Sequence, residues 1–349
     1  MATPQNDRQP DPEPWISQAA PADHPVARII HQRLAEGSRP GARRDECRVG
    51  LAIEGGGTRG VVSGGMLAAL EELGLRDAFD VVYGSSAGSF NATYFLAGQA
   101  SDALTLYVDD MTSGFLDVSR LLRRQPLVSL DWVLDVVMCR HLPLDWTAVL
   151  ESPIPLRVIA SSVDELEPVV LSGFSGAKEL RTALAAGANI PFLAGPPVEF
   201  RGQRLLDAAV LQAHPYESAM ADGCTHVLSL STRPRGRLRE RPGLWSRITA
   251  LRLNRLHAGL GARHLARIRA YGQAQRRLWD MTRSSHQPPF GLDVAPAPDS
   301  AEVRQLERDP AKILAGARAG YEAAMLALTG QRVRAVYRLA SSRTARQPD

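Results

Sequence analysis

The chain has 349 residues, a hydrophobic fraction of 44% and a net charge of +4, enough for one large α/β domain or two small ones. Its apolar runs are strand-sized and exclude a spanning helix, which needs ~18–20 residues. The N-terminal MATPQNDRQPDPEPW has neither the basic nor the apolar region of a signal peptide. Three separated cysteines, Cys47, Cys139 and Cys224, form no metal pattern and no complete disulfide set, so a reducing, cytoplasmic setting is expected.

Residues 1–25 hold six prolines and few apolar side chains, a composition that predicts disorder. Val26, Ile29, Ile30 and Leu34 recur at helical spacing and predict a docking helix that Gly37 and Pro40 stop, with a linker to residue 47. One main domain is expected over 48–330. RVGLAIE reads as a buried strand, VVSGGMLAALEELGL as a helix, DVVYG as a second strand and AGSFNATYFLAG as a second helix. Strand, glycine turn, helix, strand, turn, helix argues for a parallel sheet with helices on its faces. Residues 101–150 read as mostly helical, most clearly VSLDWVLDVVM. IPLRVIASSV and EPVVLSG follow as strands across DEL, then GAKELRTALAAGA as a helix. GQRLLDAAV is a short strand leaving at an acid, and THVLSLST reads as the last strand. The remainder is an arginine-rich helical region over 232–283, a proline-rich link QPPFGLDVAPAP, a final helix near 311–329 and a polar tail over 331–349.

Gly55, Gly57 and Gly60 satisfy G-x-G-x-x-G between a strand and a helix, the setting of a dinucleotide fingerprint. That fingerprint wants an acid at the end of the second strand. Asp80 has the right separation but begins that strand. No Gly-Lys-Ser/Thr follows, so a phosphate-binding P-loop is a weaker reading still.

What ends the second strand is YGSSAGS. Gly84-Ser85-Ser86-Ala87-Gly88 is G-x-S-x-G on a strand-to-helix turn, which exposes a serine Oγ at the carboxyl edge of the sheet. Ser86 is therefore the candidate nucleophile, with Gly84 and Gly88 letting the chain turn. The amides of Gly55, Gly56 and Gly57 on the neighbouring strand end are then candidate donors to a transient oxyanion, each worth about 3–4 kcal/mol. A serine needs a base. His214, seven residues beyond Asp207, permits a Ser86–His214–Asp207 triad, but a lone histidine before a helix is more often structural. Asp207 ends an apolar strand and, if that strand is parallel to the others, reaches the same edge as Ser86. Asp164 lies in the turn across DEL and is the weaker acid.

EGGGTRG, GSSAGS and LLDAAV, in this order and at these separations, resemble the patatin-like phospholipase family over roughly 48–215. The resemblance implies a three-layer α/β fold with a mainly parallel central sheet flanked by helices. It implies a Ser–Asp dyad without histidine and hydrolysis of acyl esters of phospholipids or other polar lipids, with no metal or organic cofactor. Carried over by position, Ser86 is the nucleophile, Asp207 its partner, and Gly55, Gly56 and Gly57 the oxyanion donors, with Arg59 beside them. One departure is Ala208-Ala209 after the acid, where the family has glycine; alanine would be strained there if φ is positive. Two other readings stay open: a dinucleotide-binding protein using Gly55, Gly57 and Gly60, and an inactive lipid-binding scaffold.

Phe115, Leu121, Leu122, Leu127, Leu130, Trp132, Val133 and Trp146 are candidates to wall an acyl chain, with plain helix packing as the alternative. The 39 arginines far outnumber the two lysines, and 14 of them fall within 233–283 beside only Glu240 and Asp280. That stretch is a candidate for peripheral contact with an anionic membrane. Aromatics are sparse in it and no nucleic-acid motif is present, so nucleic acid is not expected as a partner.

Overall fold

The protein, a computed structural model, is described over residues 23–109, 126–212, 214–238, 241–283 and 286–335. Most of the proline-rich segment, the end of the tail, and Phe115, Leu121 and Leu122 lie outside those residues.

The strands are β1 (Val49–Ile53), β2 (Val81–Ser85), β3 (Leu156–Ser162), β4 (Pro168–Leu171), β5 (Val198–Phe200), β6 (Gln203–Asp207), β7 (His226–Leu230) and β8 (Phe290–Val294). They form one sheet in the order β5-β6-β3-β2-β1-β7-β8, with β4 also on β3. β8, β7, β1, β2 and β3 run parallel. β4, β5 and β6 add antiparallel pairs. Every residue of β1, β2 and β7 is buried, as expected of parallel strands covered on both faces.

Helices cover the faces. They are α1 (Pro25–Ala35), α2 (Val61–Glu72), α3 (Ala87–Leu96), α4 (Ala100–Asp109), α5 (Trp146–Leu150), α6 (Ala177–Gly187), α7 (Pro215–Ala221), α8 (Leu244–Leu256), α9 (Leu260–Arg283) and α10 (Pro310–Thr329). Residues Trp132–His141 form a π-helix rather than the ordinary helix expected there. α2 is buried all round from Val61 to Leu70, packed against α10, α4 and α3. A Cβ at Gly65 would come 2.1 Å from the Ala317 carbonyl, and one at Gly320 would come 2.0 Å from the Val62 carbonyl, so both helices need glycine at the crossing. Among the described residues no helix is long and apolar enough to cross a membrane.

Two strands differ from the sequence expectation. The presumed proline-rich link contains β8, parallel to β7. Its prolines flank the strand, Pro288 and Pro289 before it and Pro296 and Pro298 after it, where a missing N–H costs no ladder bond. Its buried acid disguises it: Asp293 accepts from Ser231 Oγ at 2.6 Å and Trp279 Nε1 at 2.9 Å. β5 is only three residues long, too short to show a pattern.

α1 docks through Val26, Ile29 and Ile30 and through one buried cation. Arg33 donates to Asp45 at 2.7 Å, Asp80 at 2.8 Å and the Ala78 carbonyl at 2.7 Å. Asp80 also accepts from Arg43 at 2.7 Å and from the Val49 amide at 2.8 Å. This acid thus ties α1 to the start of β1, at the sheet edge opposite the glycine turn, and is not placed for a ribose. Replacing Arg33 with Met leaves two carboxylates without their shared partner. A loss of about 3 kcal/mol is expected, read as a lower denaturant midpoint; an unchanged midpoint contradicts the role given to this pair.

Candidate active site

Ser86 lies between the end of β2 and the start of α3 with φ 54° and ψ −128°, a left-handed conformation rare for a side chain other than glycine. Such strain costs about 1–3 kcal/mol and persists only where the surroundings enforce it. Here the enforcement is contact of backbone with backbone. A Cβ at Gly84 would come 2.4 Å from the Ser89 Cα, one at Gly88 would come 2.3 Å from the Ile53 carbonyl, and one at Gly55 would come 2.2 Å from the Ser85 carbonyl. The serine turn and the glycine turn are therefore interlocked, and Gly55 and Gly88 make the close approach possible.

The sheet register brings the acid to the serine. β4 pairs with β3 over 158–161 and occupies one edge of it. β2 pairs with Leu156 to Ile159 and β6 with Ala160 to Ser162, so these two strands share the other edge, end to end. Ser85 sits opposite Ile159 and Asp207 opposite the next residue, Ala160. β6 is thus antiparallel to its neighbour, so Asp207 reaches this edge without the parallel pairing on which the sequence reading makes it depend. It meets β2 head-on and delivers Asp207 to the serine turn.

Ser86 Oγ donates to Asp207 Oδ2 at 2.6 Å, with the two residues only 8% and 3% exposed. Asp207 Oδ1 accepts from the Ala209 amide at 2.7 Å. The Asp207 amide donates to the Asn189 carbonyl at 2.9 Å. Ser161 Oγ donates to the Asp207 carbonyl at 2.9 Å and accepts from the Leu211 amide at 3.1 Å, pinning the turn from beneath. Burial pushes the Asp207 carboxyl above its ordinary pKa, against the opposing pull of Ser86, the Ala209 amide and Arg267. Ala208 opens a short 3-10 turn and is not among the residues with positive φ, so alanine there carries no left-handed strain.

On the neighbouring strand end, Gly56 and Gly57 have φ of 137° and 59°. The adjacent amides are occupied: Glu54 donates to Leu230, Thr58 to Gln305 and Arg59 to Gly56. Among the described residues the amides of Gly55, Gly56 and Gly57 have no such acceptor. The Arg59 side chain folds back over Gly56, its Nε donating to Thr232 Oγ1 at 3.1 Å. Glu54 accepts from the Thr232 amide at 2.6 Å and the Tyr271 hydroxyl at 2.9 Å. Burial alone would raise Glu54; His214, Arg59, the Thr232 amide and Arg233 outweigh it and hold it at about 2.

His214 does not join Ser86 and Asp207. Its ring stacks on Tyr271 with centroids 4.4 Å apart, and among the described residues neither ring nitrogen has a hydrogen-bond partner. Burial lowers its pKa to about 4, so it is neutral at physiological pH. Asp164 is on the surface, paired with Arg204 at 2.6 Å.

Two cavities open from Ser86. One is apolar and bounded by Phe90, Tyr94, Leu106, Tyr107, Leu130 and Val133 among others. Of the expected wall residues that are described, Leu130 and Val133 line it; α3 and α4 supply most of the rest. Trp132 faces a different surface cleft, and Trp146 lies under Arg181. The second is polar and includes Glu54, Arg59, Asp207, Arg233, Arg267 and Tyr271. Among the described residues no group of three or more His, Cys, Asp or Glu is placed to hold a metal ion.

Residues 51–220, just under half of the chain, match the model of the patatin-like phospholipase family. It is 27% identical over 191 residues to the uncharacterized protein YjjU of Escherichia coli K12, covering 54% of this chain and 52% of that one. The chain thus spans about half the length of this curated relative. Similar solved structures include VipD from Legionella pneumophila, at 13% identity and a TM-score of 0.43 over 81% of this chain and 67% of that one. Human GIVD cytosolic phospholipase A2, solved with methyl gamma-linolenyl fluorophosphonate, is similar at 17% identity and a TM-score of 0.37 over 62% of this chain and 44% of that one.

Ser161 carried no signal in the sequence, since its role depends on a strand pairing 46 residues away. Ser161→Ala leaves the Asp207 carbonyl and the Leu211 amide without this partner. A stability loss of about 1–3 kcal/mol is expected, together with slower labelling of Ser86 by a fluorophosphonate. Wild-type stability and labelling in this variant would refute the clamp.

Proposed function

We propose that the protein is a serine acyl-ester hydrolase acting on phospholipids or other polar lipids through Ser86 and Asp207. The observation that carries this reading is the buried 2.6 Å hydrogen bond from Ser86 Oγ to Asp207 Oδ2, on a strained turn, with no histidine between them. Ser86 Oγ bonds to the ester carbon as its proton passes to Asp207, and the carbonyl electrons move onto oxygen. The amides of Gly55, Gly56 and Gly57, with Arg59 nearby, receive that oxyanion. Collapse breaks the ester C–O bond, and the departing alcohol takes the proton from Asp207. Water then gives a proton to Asp207 as its oxygen bonds to the acyl carbon; collapse breaks the bond from that carbon to Ser86 Oγ, which takes the proton back from Asp207, and the free acid leaves. No metal or organic cofactor takes part.

The adjoining apolar cavity supports an acyl chain as the group held there. α8 supports a membrane role: Leu244, Trp245 and Leu251 are 71%, 78% and 70% exposed, among the exposed Arg247, Arg252 and Arg255. Arg252 also lies 5.7 Å from the ring centre of Phe192, two residues from Ile190 of the apolar cavity. The arginine-rich stretch as a whole is not a membrane face, because Arg233 and Arg267 turn inward. The dinucleotide reading loses its acid to Arg33 and Arg43, and the inactive-scaffold reading loses the strain expected at Ala208.

Ser86→Ala and Asp207→Asn are each expected to lower nitrophenyl-ester turnover by about 10³-fold or more while the protein stays folded. Ionised Asp207 is the active form and burial raises its pKa. Turnover should therefore rise with pH through a limb above the ordinary ~3.9 of an aspartate. A limb at or below that value contradicts Asp207 as the base, as does full activity in the asparagine variant. For the membrane face, Trp245→Ala with Leu251→Ser should reduce sedimentation with anionic vesicles; equal sedimentation of wild type and variant removes α8 from the interface.

A further inference from the structure

Three arginines from separate parts of the chain line the polar cavity beside Ser86: Arg59 from the glycine turn, Arg233 after β7, and Arg267 on α9. Two acids face them, and both are engaged. Glu54 is occupied by Thr232 and Tyr271, and Asp207 by Ser86 and the Ala209 amide. Arg233 uses Nη1 on Glu302 at 2.8 Å, and Arg267 uses Nε on the Gln212 carbonyl at 2.8 Å. Among the described residues neither Arg233 Nη2 nor the two terminal nitrogens of Arg267 has an acceptor. Both guanidinium carbons lie 5.9 Å from the ring centre of Tyr271, so the two cations flank one buried ring. Glu54 and Glu302 already balance part of this positive charge; what stays open is the set of unpaired N–H groups on Arg233 and Arg267, which an anion bearing several oxygens would satisfy. Arg233 and Arg267 lie beyond residue 220, outside the span matched to the family.

We propose that this cavity is a phosphate subsite, in which Arg233 and Arg267 bind a phosphate carried on the alcohol portion of the ester. The proposal rests on the hydrolase reading and names its substrate class: an anionic amphiphile with its acyl chain in the apolar cavity, its carbonyl at Ser86 and its phosphate at the arginines. Guanidinium suits this task because its planar N–H pairs match phosphate oxygens. Two guanidiniums on different elements reach two oxygens at once, and a cationic head group is disfavoured in the same place.

The test compares 1-octanoylglycerol 3-phosphate with 1-octanoylglycerol, two esters differing only in the phosphate, on the full chain. Wild type should favour the phosphorylated ester in kcat/KM by about 10-fold or more. The Arg233→Gln/Arg267→Gln variant should lose most of that preference, and the Lys/Lys variant should keep more of it. If the double variant does not fold, Arg233→Gln alone is expected to reduce the preference. No preference in wild type, or an undiminished one in the glutamine variants, overturns the subsite. Binding of inorganic phosphate without any preference between the esters also overturns it, assigning the arginines to free phosphate instead. If folded wild type hydrolyses neither ester, the hydrolase reading fails by itself. Calorimetric titration of Ser86→Ala with glycerol 3-phosphate then decides the subsite: binding that Arg267→Gln abolishes sustains it, and no binding overturns it.

Discussion

The site depends on one edge of β3. Because β4 takes the other edge, β2 and β6 must share what remains, and they meet end to end at Ile159 and Ala160. That meeting places a carboxylate 2.6 Å from a serine hydroxyl on a turn whose geometry the chain alone would not favour. A histidine relay needs space between acid and nucleophile. Here the two side chains are already in contact at 2.6 Å, and in the proposed reaction the acid itself takes the proton.

The surroundings are consistent with such a pair. A carboxylate beside a serine in water is a poor base; burial raises Asp207, while its contacts with Ser86 and the Ala209 amide keep it oriented. The interlocked glycines bring the second turn's amides beside the serine without intervening side chains. Two cavities of opposite character then meet at Ser86, which suits a molecule with an apolar end, a polar end and an ester between them.

Much of this was legible locally. Ser86 could be found because a tight strand-to-helix turn needs G-x-S-x-G within five consecutive residues. Gly55 to Gly57 could be found because a parallel sheet puts consecutive strand ends on one side. Asp207 could be named as an acid ending a strand, but the antiparallel, head-on approach of that strand was not readable, since it depends on which edge β4 occupies. For the same reason Ser161, Arg233 and Arg267 were invisible as site residues: long-range packing brings each to the site. β8 escaped because Asp293, satisfied by Ser231 and Trp279, breaks the apolar pattern of a buried strand.

The central claim is that Ser86 becomes covalently acylated with no histidine relay. The most direct measurement is acid quenching of wild type during turnover of a nitrophenyl ester, followed by mass mapping of the peptides. The account predicts an acyl adduct on the peptide containing Ser86, formed in a burst stoichiometric with enzyme. Turnover with no adduct, or with the adduct on another residue, would contradict it.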